Sequence, residues 1–361
     1  MKILHIHTSM SGGGIEAIIC ALLNEVVERH DVTLATIFAS KASDVFENKL
    51  DRRVKRLSLG KVKPGFSITE IFQIYRLIKT SSYDVVHIHG FFYYYAMSVL
   101  LLHRKVKFFY TIHSDAVMEN SPWDKRFLWL KKWCFKKRLI KPITISPASK
   151  DSFTKLYGTD SMLICNGVSK PTITTTENPL GQYKITPSTK IFIHAGRINE
   201  AKNQIVLCQS FTKLIKNGYD AVLLIAGGNQ DDSIMQQMQP FFCDRIIYLG
   251  ERSDIPILFN FADAMCLPSI WEGLPVTLLE ALAVGCIPIC SPVGGIVNVI
   301  KHGYNGLLSD DSSKEQYYKR LKEYMRLSDE EIIKMKNNCK ESFAPYDIKQ
   351  TAAQYELVYG N

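Results

Sequence analysis

The sequence predicts an α/β chain of two Rossmann-like, doubly wound domains. Three observations carry this. At 361 residues the chain is too long for one ordinary core and suits two of about 150 to 200 residues. Short β-branched runs alternate with helical patterns almost throughout, which reads as buried parallel strands with helices on both faces. The alternation is interrupted once, by the polar, Thr- and Pro-rich stretch "TITTTENPLGQYKITPST" (172–189), which has no periodicity and reads as a linker.

In the first half, strands are expected at "KILHIHT", "VTLATIF", "VKRLSL", "DVVHIHG", "KFFYTIH", "PITIS" and "MLICN". In the second half they are expected at "KIFIHAGR", "AVLLIAGG", "RIIYLG", "AMCLPS", "CIPICS" and "GLLSD". The expected division is a first domain at 1–170, a linker at 171–189, a second domain at 190–343 and a terminal segment at 344–361. In open parallel sheets ligands bind beyond the carboxyl ends of strands. The residues that follow strands are therefore the ones to inspect.

Composition narrows the class. Hydrophobic residues make up 46% and charged residues 22%, as in soluble globular proteins. The start, "MKILHIHTSM", lacks the apolar core of a signal peptide, and "AMSVLLL" is far short of the ~20 residues of a membrane span. A cytoplasmic protein is expected. Nine scattered cysteines without a CxxC pair suit reduced packing residues rather than disulfides or zinc, Cys286 and Cys290 included. Charge is uneven: residues 1–175 carry 26 Lys+Arg against 14 Asp+Glu, or +12, and the remainder 18 against 21, or −3. The basic excess invites an anionic partner for the first domain.

Several stretches carry chemistry. In "EGLPVTLLEALAVGCIPI" (272–289), Pro275 suits the first turn of a helix that Gly285 ends. The free N–H groups of that helix face Glu272, Gly273 and Leu274, a natural anion site. Glu272 and Glu280 are separated by about 12 Å of helix rise at ~1.5 Å per residue. That is too far for the ~5 Å carboxylate pair of a retaining glycosidase, and it fits two separate tasks on one elongated ligand. In "HAGRINEAKN" (194–203), Gly196, Arg197 and Lys202 lie where a strand turns into a helix, with both cations able to reach one diphosphate. "SMSGGGIEAII" (9–19) follows the first strand, and its glycines permit close backbone approach, but it is not a G-x-G-x-x-G fingerprint.

His87, His89 and His113 end strands without metal-ligand spacing, so no metal is expected. His113 leaves its strand directly into a polar loop and is the best functional candidate among them. "KRFLWLKKWCFKKRLIK" (125–141) has eight basic residues, no acidic ones and interleaved aromatics. Read as one helix, it spreads cations on all sides. It suits contact with an anionic membrane surface through snorkelling side chains, or else a solvated helix packed ahead of a strand; nucleic acid is not expected. "FFYYY" (91–95) reads equally as an acceptor-side surface or as core.

Taken together, the glycine loop, His113, "GR…K", the E-x7-E element, Gly294-Gly295 and "HGYNGLL" resemble family 4 of the retaining nucleotide-sugar glycosyltransferases, over nearly the whole chain. The resemblance implies the GT-B fold, two Rossmann-like domains facing each other across a cleft. It implies that Arg197 and Lys202 neutralise the donor diphosphate. Glu272, with Gly273, Leu274 and Pro275 beside it, would hold the donor sugar, and Glu280 the ribose hydroxyls. His113 would contact the transferred sugar, Gly13 and Gly14 the phosphates or acceptor, and Glu251 and Arg252 would face the base. No cofactor or metal is implied beyond a nucleotide-diphosphate sugar, more naturally UDP-linked, with a glycan or lipid-linked acceptor. The terminal "FAPYDIKQTAAQYELVY" resembles the family's helix that crosses back to the first domain. One departure is the stretch "GGIVNVI", where Asn298 lies near a position often acidic in the family. The alternatives are a nucleotide-sugar 2-epimerase of the same architecture and a catalytically silent glycan-binding or scaffold protein. Scaffolding would have no use for Arg197, Lys202, Glu272 and Glu280.

Overall fold

The computed structural model describes residues 1–41, 44–63, 65–173 and 175–360. Thr174 of the expected linker and Asn361 of the expected terminal segment lie outside them. The chain forms two compact units, Met1–Ser169 with Tyr346–Asn361, and Lys170–Pro345.

In the first unit the strands are β1 (Lys2–His7), β2 (Asp31–Phe38), β3 (Lys55–Lys61), β4 (Val85–Ile88), β5 (Lys107–Ile112), β6 (Lys141–Thr144) and β7 (Met162–Leu163). They make one sheet in the order 3-2-1-4-5-6-7. The second unit has β8 (Lys190–Ala195), β9 (Ala221–Ala226), β10 (Ile246–Gly250), β11 (Ala264–Leu267), β12 (Ile287–Cys290) and β13 (Leu307–Leu308), in the order 10-9-8-11-12-13. Every pairing between these strands is parallel. All thirteen coincide with runs read from sequence; β2 and β6 begin one residue earlier than expected and β3 ends two residues later. A strand buried on both faces must be apolar at successive positions, which makes it legible; β9, Ala-Val-Leu-Leu-Ile-Ala, is buried throughout.

Both strand orders reverse direction at a defined place, between β1 and β4 in the first sheet and between β8 and β11 in the second. Loops leaving two adjacent strands toward opposite faces open a crevice there. The second sheet's crevice is walled by the segments after Ala195 and Leu267, and the first sheet's by those after His7 and Ile88.

The terminal helix, Ile348–Gly360, packs within the first unit. Its Ala352, Tyr355 and Tyr359 join Ile3, Leu23, Val85 and Phe109 in one core cluster. Three sequence readings are refined. The "FFYYY" stretch is core, with Phe92 through Tyr95 no more than 5% exposed. The basic segment is not one helix: Pro122–Arg126 and Leu128–Lys136 are separate, and Lys141 already belongs to β6. One of its cations, Lys131, is buried, with Nζ 3.1 Å from both Tyr110 Oη and Asn120 Oδ1 and over the Tyr110 ring. Pro275 precedes the helix Val276–Val284 rather than opening it, and Gly285 ends that helix in the left-handed region. Cys286 and Cys290 are buried free thiols at β12. Among the described residues no helix is long and apolar enough to cross a membrane.

Candidate functional site

The second unit brings Gly196, Lys202 and Glu272 together where the loops after β8 and β11 meet, with Arg197 on the same turn as Gly196. Beyond β8 the chain runs as Gly196-Arg197 beside the end of β9, with Gly196 N–H donating to Ala226 O at 2.9 Å and Ile198 N–H to Gly228 O at 2.9 Å. The two backbones touch: a Cβ on Gly227 would stand 1.9 Å from Gly196 O. One on Gly196 would press on His194 Nε2 at 3.3 Å and Lys202 Cε at 3.4 Å, so this glycine leaves room for the lysine. Arg197 is exposed at this mouth.

A short helical turn, Glu200–Lys202, then delivers Lys202, and Asn203 in the left-handed region redirects the chain into the helix Gln204–Lys216. The Asn203 amide donates to Pro268 O at 3.1 Å and Ser312 O at 3.3 Å. The loop after β11 is tied to this turn by Ile270 N–H donating to Ala201 O at 2.8 Å. Across the junction Lys202 Nζ lies 2.6 Å from Glu272 Oε1, and Ser269 Oγ donates to the same oxygen at 2.7 Å. Both charged side chains are mostly buried, 19% and 11% exposed, so water screens their attraction only partly.

Gly294 locks the far side of Glu272. Its φ is +54°, and a Cβ there would stand 1.9 Å from Glu272 O, while Gly295 N–H donates to Gly273 O at 2.6 Å. Leu274 and Pro275 are buried, and Glu280 is half-buried on the helix that follows. Beyond β10, Glu251 and Arg252 are exposed. The guanidinium of Arg252 is held in a fork by Asp254, at 2.9 and 2.6 Å. The Glu251 carboxylate reaches to 3.6 Å from the Cβ position of Gly228. Asn298 is exposed on the turn after Gly295.

Sequence reasoning passed over two members of this site. His194 is fully buried; its Nδ1–H donates to Cys266 O at 2.9 Å, and its Nε2 accepts from the Gln204 amide at 3.2 Å. The same amide donates to Arg197 O at 2.9 Å. The pair thus pins the Arg197 turn to the sheet. Both residues stand at strand and helix ends beside "GR…K", the one signal that could have found them.

In the first unit, Gly13 and Gly14 open the helix Gly14–Val26 after β1. His113 follows β5, with its backbone N–H on Glu119 Oε2 at 2.6 Å and its Nε2 2.9 Å from His89 Nδ1. His5, His87 and His89 crowd beside it within the sheet. Burial holds these imidazoles neutral: His5 and His113 are pushed down to about 3, His87 and His89 well below the usual range. His194 is lowered to about 4 for the same reason. Burial also raises the Glu119 carboxyl, to about 7.

The pH dependence follows from these directions. Each depressed imidazole contributes stability that is present above pH ~6.5 and lost below it, because only the unfolded chain then takes up protons. At pH 5 each such group costs on the order of 2 kcal/mol. Glu119, with its value raised, favours the fold as pH drops below about 7 and opposes this trend. Five imidazoles outweigh one carboxyl. The urea midpoint is therefore expected to fall steeply between pH 7 and pH 5, and a flat profile would mean that these histidines accept protons in the folded state.

The chain is similar to known proteins in sequence and in fold. Residues 12–170 match the family described as Glycosyltransferase Family 4, and residues 177–342 match Glycosyl transferases group 1. The chain is 30% identical over 181 residues to N-acetyl-alpha-D-glucosaminyl L-malate synthase of Bacillus anthracis, covering 49% of this chain and about half, 47%, of that enzyme. It is 24% identical over 292 residues to an Escherichia coli enzyme, the UDP-Gal:alpha-D-GlcNAc-diphosphoundecaprenol alpha-1,3-galactosyltransferase, covering 75% and 73%. The crystal structure of Anabaena HepE in complex with UDP superposes over 100% of both chains with a TM-score of 0.79 at 17% identity. The two family matches leave little of the chain outside them, and the two parallel α/β sheets fit the same architecture. The chain is a glycosyltransferase: it belongs to glycosyltransferase family 4 and has the GT-B fold.

Proposed function

We propose that the protein moves a hexose or N-acetylhexosamine from a UDP-sugar to a glycan or lipid-linked acceptor, with retention at the anomeric carbon, in the assembly of a surface polysaccharide or glycolipid. The observation that carries this is the junction of the loops after β8 and β11. There Lys202 and Glu272 meet at 2.6 Å, at the place where a parallel sheet binds ligands. The UDP bound by the Anabaena relative and the diphosphoundecaprenol acceptor named for the Escherichia coli relative support the choice of donor and acceptor.

In this reading Arg197 and Lys202 bind the diphosphate, and Lys202 exchanges part of its contact with Glu272 for the phosphate oxygens. Glu272, with the backbone of Gly273 and Leu274 and the rigid Pro275, takes a sugar hydroxyl. Glu280 takes the ribose hydroxyls, Gly196 gives the phosphates room, and Glu251 and Arg252 border the base. His113 meets the transferred sugar, and Gly13 and Gly14 approach the phosphates or acceptor. In the transfer step the bond from C1 to the phosphate oxygen breaks and the nucleotide keeps the electron pair. The acceptor hydroxyl oxygen bonds to C1 from the same face, and its proton passes to the departing phosphate. The two cations stabilise that phosphate, the electrostatic work on which such a step depends, without a required metal.

The acceptor side suits a lipid surface. Trp129 and Trp133, one helical turn apart, are 69% and 44% exposed, and Lys125, Arg126, Lys136, Lys137 and Arg138 are exposed around them. The test is incubation with UDP-glucose, UDP-galactose and UDP-N-acetylglucosamine and an undecaprenyl-diphosphate-linked sugar. The expected outcome is consumption of one donor and an α-linked product by NMR coupling. A β-linked product would overturn retention, and no consumption of any UDP-sugar would overturn the donor assignment. Sedimentation with anionic vesicles at low salt should carry the protein down, and Trp129→Ala with Trp133→Ala should release it; wild type left in the supernatant would remove the membrane surface.

A further inference from the structure

Three imidazoles of the first unit form one unbranched chain. His113 Nε2 lies 2.9 Å from His89 Nδ1, and His89 Nε2 lies 3.1 Å from His5 Nδ1. Exposure falls along it, from 9% at His113 to 3% at His89 and 0% at His5. Its two end atoms, His113 Nδ1 and His5 Nε2, are buried and have no hydrogen-bond partner among the described residues.

A neutral imidazole carries a single N–H, so the chain has two self-consistent arrangements. With every ring protonated at Nδ1, His5 donates to His89, His89 donates to His113, and the free N–H is His113 Nδ1. With every ring protonated at Nε2 the bonds run the other way, and the free N–H is His5 Nε2, enclosed in the core. A buried N–H without a partner is tolerated less well than a bare acceptor, so the free N–H belongs at the less buried end. Of the charges that act on His113, His7 works against a proton at that end and Glu16, the smaller effect, works for one, so the choice of end rests on burial. Neutrality of the whole chain is secured by burial, which keeps His5 and His113 near 3.

A metal explains these residues less well. Nitrogens of His5, His87 and His89 lie within 4.8 Å of one another. However, both nitrogens of His87 are engaged, by Thr111 Oγ1 at 2.7 Å and by Tyr359 Oη, and both of His89 by His5 and His113. A cation would have to displace bonds that already satisfy these buried groups.

We propose that His89 and His5 are positioning residues that hold His113 as the Nδ1–H tautomer, so that it offers a bound sugar oxygen a hydrogen-bond donor rather than a lone pair. The functional half of this rests on the reading that His113 meets the transferred sugar; the tautomer itself does not. Such a donor strengthens its bond as negative charge gathers on the oxygen, and a fixed tautomer needs no reorganisation when the sugar arrives.

The test is a two-bond ¹H–¹⁵N NMR spectrum of the ligand-free protein with ¹⁵N-labelled histidine at pH 7.5, His113 being assigned by His113→Ala. The expected wild-type pattern is Nδ1–H at His113, and His89→Phe, which removes the donor to His113 Nε2, should shift it to Nε2–H or to a mixture. The same variant should lower kcat about tenfold at unchanged KM for the donor. A wild-type His113 protonated at Nε2 overturns the proposal whether or not His89→Phe folds. An Nδ1–H pattern that persists in His89→Phe overturns the role of the chain. If the spectra follow expectation and His113→Ala still transfers sugar at the wild-type rate, the sugar-contact reading fails while the tautomer assignment stands.

Discussion

Lys202→Ala is expected to lower kcat/KM for the nucleotide-sugar by about 10²- to 10³-fold, the usual scale for removing a group that stabilises developing charge. Two losses combine in this variant. In the proposed role of Lys202 the leaving diphosphate loses a cation, and Glu272 loses the ammonium at 2.6 Å that fixes its carboxylate, keeping the Ser269 hydroxyl. The second loss predicts that Lys202→Arg rescues poorly, since a planar guanidinium does not reproduce a point charge in a slot bordered by Gly196 and His194. Arg252→Ala is the matching control, because its guanidinium is exposed and held by Asp254; its effect should fall mainly on affinity for the base. Steady-state kinetics with the preferred donor decides this. A kcat within threefold of wild type for Lys202→Ala would reduce the lysine to a structural partner of Glu272.

Gly294→Ala is expected to damage stability and activity together. The new Cβ would stand 1.9 Å from Glu272 O, 2.7 Å from its carbonyl carbon and 3.2 Å from Gly273 O, all backbone atoms that no rotamer change can move. The position also has φ of +54°, which a side chain adopts only under strain. Together these should cost on the order of 3 kcal/mol in urea unfolding. The retreat of Glu272 should lower kcat by ~10²-fold, since displacements near 1 Å have effects of that size. Gly303→Ala separates strain from collision: its φ is +75°, but among the described residues no atom lies within 4 Å of the added carbon. That control should lose about 1 kcal/mol and keep its activity. Equal effects of the two substitutions would show that the contact with Glu272 does not matter.

What the sequence revealed and what it concealed divide along physical lines. Strands buried on both faces announce themselves as apolar runs, so β8, β9 and β11 and the loops after them could be placed, and Arg197, Lys202 and Glu272 with them. The pairing of Lys202 with Glu272 could not be read, because it depends on loops 70 residues apart meeting at 2.6 Å. The imidazole chain was hidden for a similar reason. His5 stands opposite His87 only once the β1–β4 register is known, and His89 and His113 lie 24 residues apart on neighbouring strand ends. Lys131 misled in the opposite direction: within a basic run it reads as surface, and its burial follows from Tyr110 and Asn120, which the run does not contain. His194 and Gln204 stood in plain view beside "GR…K". Their role needed the carbonyl of Cys266, 72 residues beyond His194.

The central claim is that the second unit holds a nucleotide-diphosphate sugar through Arg197, Lys202, Glu272 and Glu280. It is tested most directly by thermal melting with UDP, GDP and ADP on wild type and Glu280→Ala. A ligand at 100 times its dissociation constant stabilises a fold by about 2.7 kcal/mol, which is easily seen. The account predicts that UDP raises the wild-type melting temperature, that GDP and ADP do so less, and that Glu280→Ala loses most of the UDP gain. A wild type that no nucleotide stabilises, or a Glu280→Ala that responds as fully as wild type, would contradict it.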